Sequence, residues 1–268
     1  MAFRNAIALI SGGSSGLGWA TAHRVAQAGG SAVIMDLPKS DPTEKISKLG
    51  LSEKIIYSPG DVTSVSDVST AINLAVEKHG RVDLGLNCAG MGAAFTTNFK
   101  KMTAEQKMKM FTKILTINTA GSFNFINQLA MQMEQQEPRA INESDPSIDH
   151  HSRGVICLTA SVAAFDGQRG QAAYSASKGG VVGMTLPIAR DLAKSKIRVN
   201  TIAPGIFDTP MFDMLPAEAK AALGKTVPHP RRLGEPVEFA AMVEHIFHQP
   251  MLNAETIRLD GAIRMSMG

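Results

Sequence analysis

The chain has 268 residues, 44% of them hydrophobic and 19% charged, a balance that excludes a disordered chain and leaves room for one large α/β domain. No apolar run approaches the length of a membrane-spanning helix. The net charge of +3 comes from scattered basic residues, a pattern that suits anionic ligands better than a nucleic acid surface.

Short apolar runs alternate with helix-period segments along the whole chain. The runs predict strands over Ala6–Ser11, Ser31–Asp36, Ile55–Ser58, Val82–Asn87, Gly154–Thr159, Arg198–Ala203 and Glu255–Leu259. Helices are predicted near 16–28, 42–50, 64–79, 103–135, 172–194, 210–223 and 235–248. Most of the strands are apolar throughout, as strands buried on both faces must be, and the helical crossovers between them imply a parallel, doubly wound sheet. One domain covering 1–268 is expected. Glu137–Arg153 is polar, carries two prolines and has no period, so it reads as a long surface loop. His150 and His151 within it are adjacent, and adjacent side chains rarely converge on one ion. Cys88 and Cys157 sit in apolar runs and read as buried free thiols of a reducing compartment; no metal site is expected. Ala6–Ile10 reads as a strand and no apolar leader precedes it, so secretion is not expected.

Ser11–Gly18, SGGSSGLG, joins the first strand to the first helix. A phosphate-binding turn needs residues without Cβ so that backbone N–H groups can approach a pyrophosphate, with the helix N-terminus facing the negative charge. Gly12, Gly16 and Gly18 supply this, with spacing G-x-x-x-G-x-G. Asp36 ends the second strand, where a carboxylate accepts hydrogen bonds from adenosine ribose hydroxyls and repels a 2′-phosphate; the turn has no Lys or Arg to pair with one. NAD is therefore expected over NADP. Asp61, with Val62, follows the third strand near the adenine position, and Asn87-Cys88-Ala89-Gly90 ends the fourth.

Of the two tyrosines, only Tyr174 has a lysine four residues on, Lys178, one helical turn away on the same face. Ser161 lies just past the strand ending at Thr159. Oxidising an alcohol or reducing a ketone requires a proton to leave or join the oxygen. A free phenol has a pKa of about 10, and a neighbouring ammonium favours the phenolate. Ser161 can hydrogen-bond the substrate oxygen as charge develops.

Together, Gly12/Gly16/Gly18, Asn87–Gly90, Asn118, Ser161, Tyr174/Lys178 and Pro204-Gly205 resemble the short-chain dehydrogenase/reductase family over essentially the whole chain. The resemblance implies a Rossmann-type sheet and a Ser161–Tyr174–Lys178 catalytic set, with Asn118 keeping the long helix bent and holding a water that leads to Lys178. It places Ser11, where the family usually has Thr, with Ser15, Leu17, Leu37, Val62, Cys88 and Ala89 around the cofactor. Lys178 and Tyr174 also face it, and Pro204, Gly205, Phe207 and Thr209 take the nicotinamide side.

The stretches 159–193, 232–236 and 257–265 resemble a narrower group within the family, the type II 3-hydroxyacyl-CoA dehydrogenases. That likeness implies NAD-dependent interconversion of (S)-3-hydroxyacyl-CoA and 3-ketoacyl-CoA, some activity on steroids and other alcohols, a homotetramer and a mitochondrial setting. Gln171, Ser161 and Tyr174 would line the substrate pocket, under an apolar lid at about 205–232 whose Phe207, Met211 and Leu215 suit a fatty or steroidal body. Those lid residues equally suit packing on the core. Lys100, Lys101, Lys107, Lys109 and Lys113 either attract coenzyme A phosphates or form a solvated helix face. Two alternatives stay open: a hydroxysteroid or other alcohol dehydrogenase of the same family, and a scaffold subunit binding a protein partner.

Overall fold

The computed structural model describes residues 3–140, 151–210 and 216–266. In chain order the strands are β1 (Ile7–Ser11), β2 (Ser31–Asp36), β3 (Ile55–Pro59), β4 (Leu84–Asn87), β5 (Arg139–Ala140), β6 (His151–Ser152), β7 (Gly154–Thr159), β8 (Ile197–Pro204) and β9 (Thr256–Leu259). The helices are α1 (Gly16–Gln27), α2 (Thr43–Lys48), α3 (Val65–His79), α4 (Ala104–Leu115), α5 (Gly121–Glu134), α6 (Ala172–Asp191), α7 (Ala217–Lys225) and α8 (Pro236–His248).

Seven strands form one parallel sheet in the order β3-β2-β1-β4-β7-β8-β9. Successive residues of β1 point to opposite faces, and both faces are covered. Leu9 packs with Val68 and Ile72 of α3 and Phe125 and Leu129 of α5, while Ala8 and Ile10 pack with Val25 of α1 and Phe239 and Val243 of α8. This two-sided burial is why the strands lack a polar alternation. The chain builds outward from β1 through β2 to β3, then crosses back so that β4 pairs on the other side of β1, with Ser11 opposite Asn87. That reversal is a topological switch point, and the crevice beyond the carboxyl ends of β1 and β4 is where such sheets receive ligands.

Three sequence expectations need correction. The helix expected over 103–135 is α4 and α5 joined by a π-helical turn at Thr116–Ala120. The widened turn carries the buried side chain of Asn118, which is tied to another segment. Its Oδ1 accepts from Met91 N at 2.8 Å, and its Nδ2 donates to Met91 O and to Ser177 Oγ, each at 2.9 Å. The stretch 137–153 is not wholly irregular: β5 and β6 pair antiparallel at its base. Arg139 of β5 bonds the buried Asp83 carboxylate, which also accepts from Arg81 Nε at 2.7 Å and Ile7 N at 2.9 Å. His150 lies outside the described residues. The helix expected at 210–223 begins at Ala217, and the positions 211–215 before it, including Met211 and Leu215, also lie outside the described residues.

Candidate active site

The turn after β1 works because four of its residues, Gly12, Gly13, Gly16 and Gly18, have no side chain. Gly12 has φ +65°, and a Cβ there would stand 2.7 Å from Ala89 N and Cys88 C at the end of β4. A Cβ on Gly18 would run into the carbonyl of Gly12, so the start of α1 can close on the strand only if that position is bare. Ser15 is the extended N-cap of α1 and makes no side-chain cap bond, leaving the helix N-terminus to other acceptors. Asp36 is fixed at the rim, its carboxylate accepting from Ser14 N at 3.1 Å and Leu37 N at 2.8 Å. Asp61 is held likewise by Thr63, through N at 2.9 Å and Oγ1 at 2.8 Å. A cavity of about 480 Å³ lies over these groups, walled by the turn, Asp36–Leu37, Asp61–Val62, Cys88–Met91 and Thr209. A bare backbone cradle, an uncapped helix end and a rim carboxylate fit a dinucleotide.

Ser11 and Asn87 do not line this cavity. They lie buried beneath it, the Ser11 hydroxyl bonded to Asn87 Oδ1, which also accepts from Ala89 N at 3.2 Å. Asn87 Nδ2 donates to Ser122 Oγ at 2.7 Å, and Ser122 Oγ donates to Asn118 O at 2.5 Å. This polar ladder locks the ends of β1 and β4 to the π turn. It shapes the site from below.

Ser161 follows β7 and opens a short 3₁₀ turn, its Oγ accepting from Ala163 N at 3.1 Å. Tyr174 and Lys178 lie on the first two turns of α6. The Ser161 and Tyr174 side chains line the same cavity. Lys178 is buried, its Nζ donates to Thr159 O at 2.7 Å, and it lies 5.9 Å from the centre of the Tyr174 ring. Burial pulls the Lys178 ammonium down to about 8, against a smaller upward influence from Cys88. Burial also pushes the Tyr174 phenol up, and the Ser161 hydroxyl works the other way. Cys88 is a free thiol pushed up to about 12 by burial, and Cys157 is free and shifted upward for the same reason. Neither carries charge at neutral pH.

Ser161, Tyr174 and Lys178 line a second cavity of about 450 Å³, together with Gln171, Pro204, Gly205 and Phe207. Leu17, Cys88, Gly90, Met91 and Thr209 border both cavities, so the two are halves of one cleft. Asn118 stands just behind: a Cβ on Gly90 would come within 3.1 Å of Asn118 Oδ1 and 3.5 Å of Lys178 Nζ. Phe207 serves two regions, facing the cavity while its ring meets Phe239 edge-on at 6.5 Å in the core. Sequence reasoning missed Met91–Ala94, which extend β4 along the cleft, and Met265, from the far end of the chain. Lys100, Lys101, Lys109 and Lys113 are exposed, and Lys107 donates to Thr97 O at 2.8 Å.

The sequence model for the family described as short chain dehydrogenase matches residues 6–220. The chain belongs to the short-chain dehydrogenase family. It is 51% identical to the 3-hydroxyacyl-CoA dehydrogenase type-2 of Drosophila melanogaster over 98% of both chains. It is likewise 51% identical to the human protein of the same name, over 97% of this chain and 95% of that one. Among solved structures, 3-hydroxyacyl-CoA dehydrogenase type-2 from Mycobacterium avium matches with a TM-score of 0.88 and 35% identity over 98% of each chain. Dehydrogenases of this family use a nicotinamide cofactor, and the cleft of this short-chain dehydrogenase offers one a bare backbone cradle. Among the described residues no helix is long and apolar enough to cross a membrane.

Proposed function

We propose that the chain is an NAD-dependent oxidoreductase that interconverts (S)-3-hydroxyacyl-CoA and 3-ketoacyl-CoA, with Tyr174 moving the proton. The reading rests on one conjunction. The chain is alike, over nearly its full length, to relatives named 3-hydroxyacyl-CoA dehydrogenase type-2, and Ser161, Tyr174 and Lys178 meet in the substrate half of the cleft, next to its junction with the turn-lined half.

When bound, the nicotinamide would accept or return the hydride at the substrate carbon. The remaining work falls to side chains of this protein. Tyr174 takes the hydroxyl proton in oxidation and returns it in reduction. The Lys178 ammonium, 5.9 Å from the Tyr174 ring centre, would favour the phenolate against the burial that holds the phenol protonated. Ser161, on the same cavity wall as Tyr174, donates to the substrate oxygen as negative charge develops. Asn118, fixed by Met91 and Ser177, stands behind Lys178 where a water could carry protons onward. Asp36 would accept from the adenosine ribose hydroxyls and repel a 2′-phosphate, which favours NAD over NADP. Ser11 and Asn87 would act by shaping the cradle that Gly12, Ser15, Gly16, Leu17 and Gly18 present. Gln171, Phe207, Met211 and Leu215 would meet the acyl body. The family likeness extends the proposal to a homotetramer in a mitochondrial setting.

Oxidation of NADH with acetoacetyl-CoA, run beside NADPH and beside a steroid ketone, tests the reading. Fast turnover selective for NADH with the CoA ester is expected. Turnover of the steroid ketone alone would replace the acyl-CoA assignment with that of a hydroxysteroid dehydrogenase. Binding of NADH by folded protein with no turnover of any ketone would favour a scaffold role.

A further inference from the structure

Besides Ile206 and Phe207, a segment from the end of the chain walls the cavity that holds Ser161 and Tyr174. After β9 the chain reverses sharply through Gly261 and Ala262, both in the left-handed region at φ +59° and +67°. For an alanine that backbone is strained and persists only where neighbours hold it. Here Asp260 holds it: its Oδ1 accepts from Ala262 N at 2.9 Å and its Oδ2 accepts from Arg258 Nε at 2.8 Å. The chain then returns to the cleft, and Met265 becomes part of the cavity wall with Ser161, Gln171 and Tyr174.

Ile263 packs in a buried cluster with Ile206 and Val227, and a polar cluster on the loop that follows Ser161 adds a second hold on the returning segment. Arg258 grips the Asp166 carboxylate with both guanidinium nitrogens, one at 3.2 Å and the other at 2.5 Å, and also donates to Ile263 O at 3.0 Å. Gln168 Nε2 donates in addition to Ser266 O at 3.2 Å. Asp166 N donates to Val162 O at 2.8 Å, so the grip runs straight into the turn that Ser161 opens. The Arg258 guanidinium further lies 5.4 Å from the Phe165 ring centre. Asp166 and Arg258 are mostly shielded from solvent, with side-chain exposures of 17% and 21%, a setting where a bidentate pair fixes geometry. The arginine holds the Asp166 carboxyl below its ordinary range, so the pair is fully charged at neutral pH.

We propose that residues 260–266 are a latched wall of the substrate cavity, that Asp166 and Arg258 are the positioning residues of the latch, and that Met265 is a specificity-determining residue that limits the bulk of the substrate body. Its substrate arm rests on the acyl-CoA reading above. A flexible thioether at this place fills space that a longer or bulkier chain would need.

The test has two arms. In the first, Met265→Ala opens the wall, and kcat/KM for a twelve-carbon 3-ketoacyl-CoA should rise about tenfold relative to acetoacetyl-CoA, the scale expected for a few methylenes of pocket space. Binding of NADH should be unchanged. In the second, hydrogen exchange is followed across 258–266. Asp166→Asn should speed exchange there and shift chain-length preference in the same direction as Met265→Ala, and Asp166→Glu should restore much of the protection. An unchanged chain-length ratio in Met265→Ala overturns the specificity role, and unchanged exchange in Asp166→Asn overturns the latch. If the wild type ignores acyl-CoA esters, the reading of its function has failed. The exchange arm still decides the latch, and the first arm is then run with a small and a bulky form of whichever ketone is reduced.

Discussion

The two halves of the cleft are built from different materials. The half over β1 to β3 is largely backbone and strand ends, including a turn with three positions that leave no room for a Cβ, a helix N-terminus and a carboxylate pinned by two N–H groups. The half over β7 to β9 is walled more by side chains, with Ile206 and Phe207 just after β8 and Met265 on a returning segment held by the Arg258–Asp166 pair and by the packing of Ile263 on Ile206 and Val227. Backbone geometry tolerates little change and suits a ligand that never varies. Side chains on lids and tails can be exchanged one at a time, which suits a substrate that differs between relatives. The proposed catalytic groups sit in this half, with Ser161 opening the turn after β7 and Tyr174 and Lys178 on α6.

That contrast can be broken in three places. Lys178 is the most sensitive. Lys178→Met should cut turnover by about a thousandfold, within the range of losses in acid–base function. The same change should stabilise the fold. Burial lowers the Lys178 pKa from 10.5 to about 8, which corresponds to a cost of about 3 kcal/mol for holding the ammonium inside at pH 7. The sign follows from proton counting. Between about pH 8 and the unfolded value of 10.5 the unfolded chain binds more protons, so wild-type stability rises with pH across that window and the advantage of the methionine variant shrinks. Denaturant unfolding at pH 7 and pH 10 checks both statements. A variant less stable than wild type at pH 7 would mean that the Thr159 hydrogen bond outweighs the buried charge.

In the backbone half, Gly18→Val should weaken NADH binding at least about a hundredfold, the loss of roughly two charge-assisted hydrogen bonds to the pyrophosphate. Fluorescence titration reads it, with circular dichroism confirming the fold. The smallest effect is expected at the rim. Asp36→Ala should lower the preference for NADH over NADPH about tenfold through lost ribose contacts and lost repulsion. An unchanged ratio of kcat/KM values would leave Asp36 a strand-end carboxylate with no part in selection.

Much of the backbone half was legible in advance, because glycine spacing and a strand-end aspartate are local signals. The strands were legible for a related reason: burial on both faces makes Ser31–Asp36 and Gly154–Thr159 continuous apolar runs, and their boundaries agree with the structure to the residue. The interruption at Thr116–Ala120 was not readable from periodicity, since one widened turn barely disturbs a helical pattern and the partner of its Asn118 is the distant backbone of Met91. The pair β5–β6 was invisible because strands of two residues have no period. Met265 was missed because nothing local links the end of the chain to Ser161; an arginine, two aspartates and a strained turn bring them together.

The central claim is that this cleft passes a proton through Tyr174 between an acyl-CoA oxygen and solvent. The most direct measurement is NADH-dependent reduction of acetoacetyl-CoA by Tyr174→Phe, with NADH affinity determined on the same preparation. The account predicts turnover lost by about a thousandfold or more with NADH binding within a factor of about two of wild type. Turnover within a few-fold of wild type, from a variant that binds NADH normally, would contradict it.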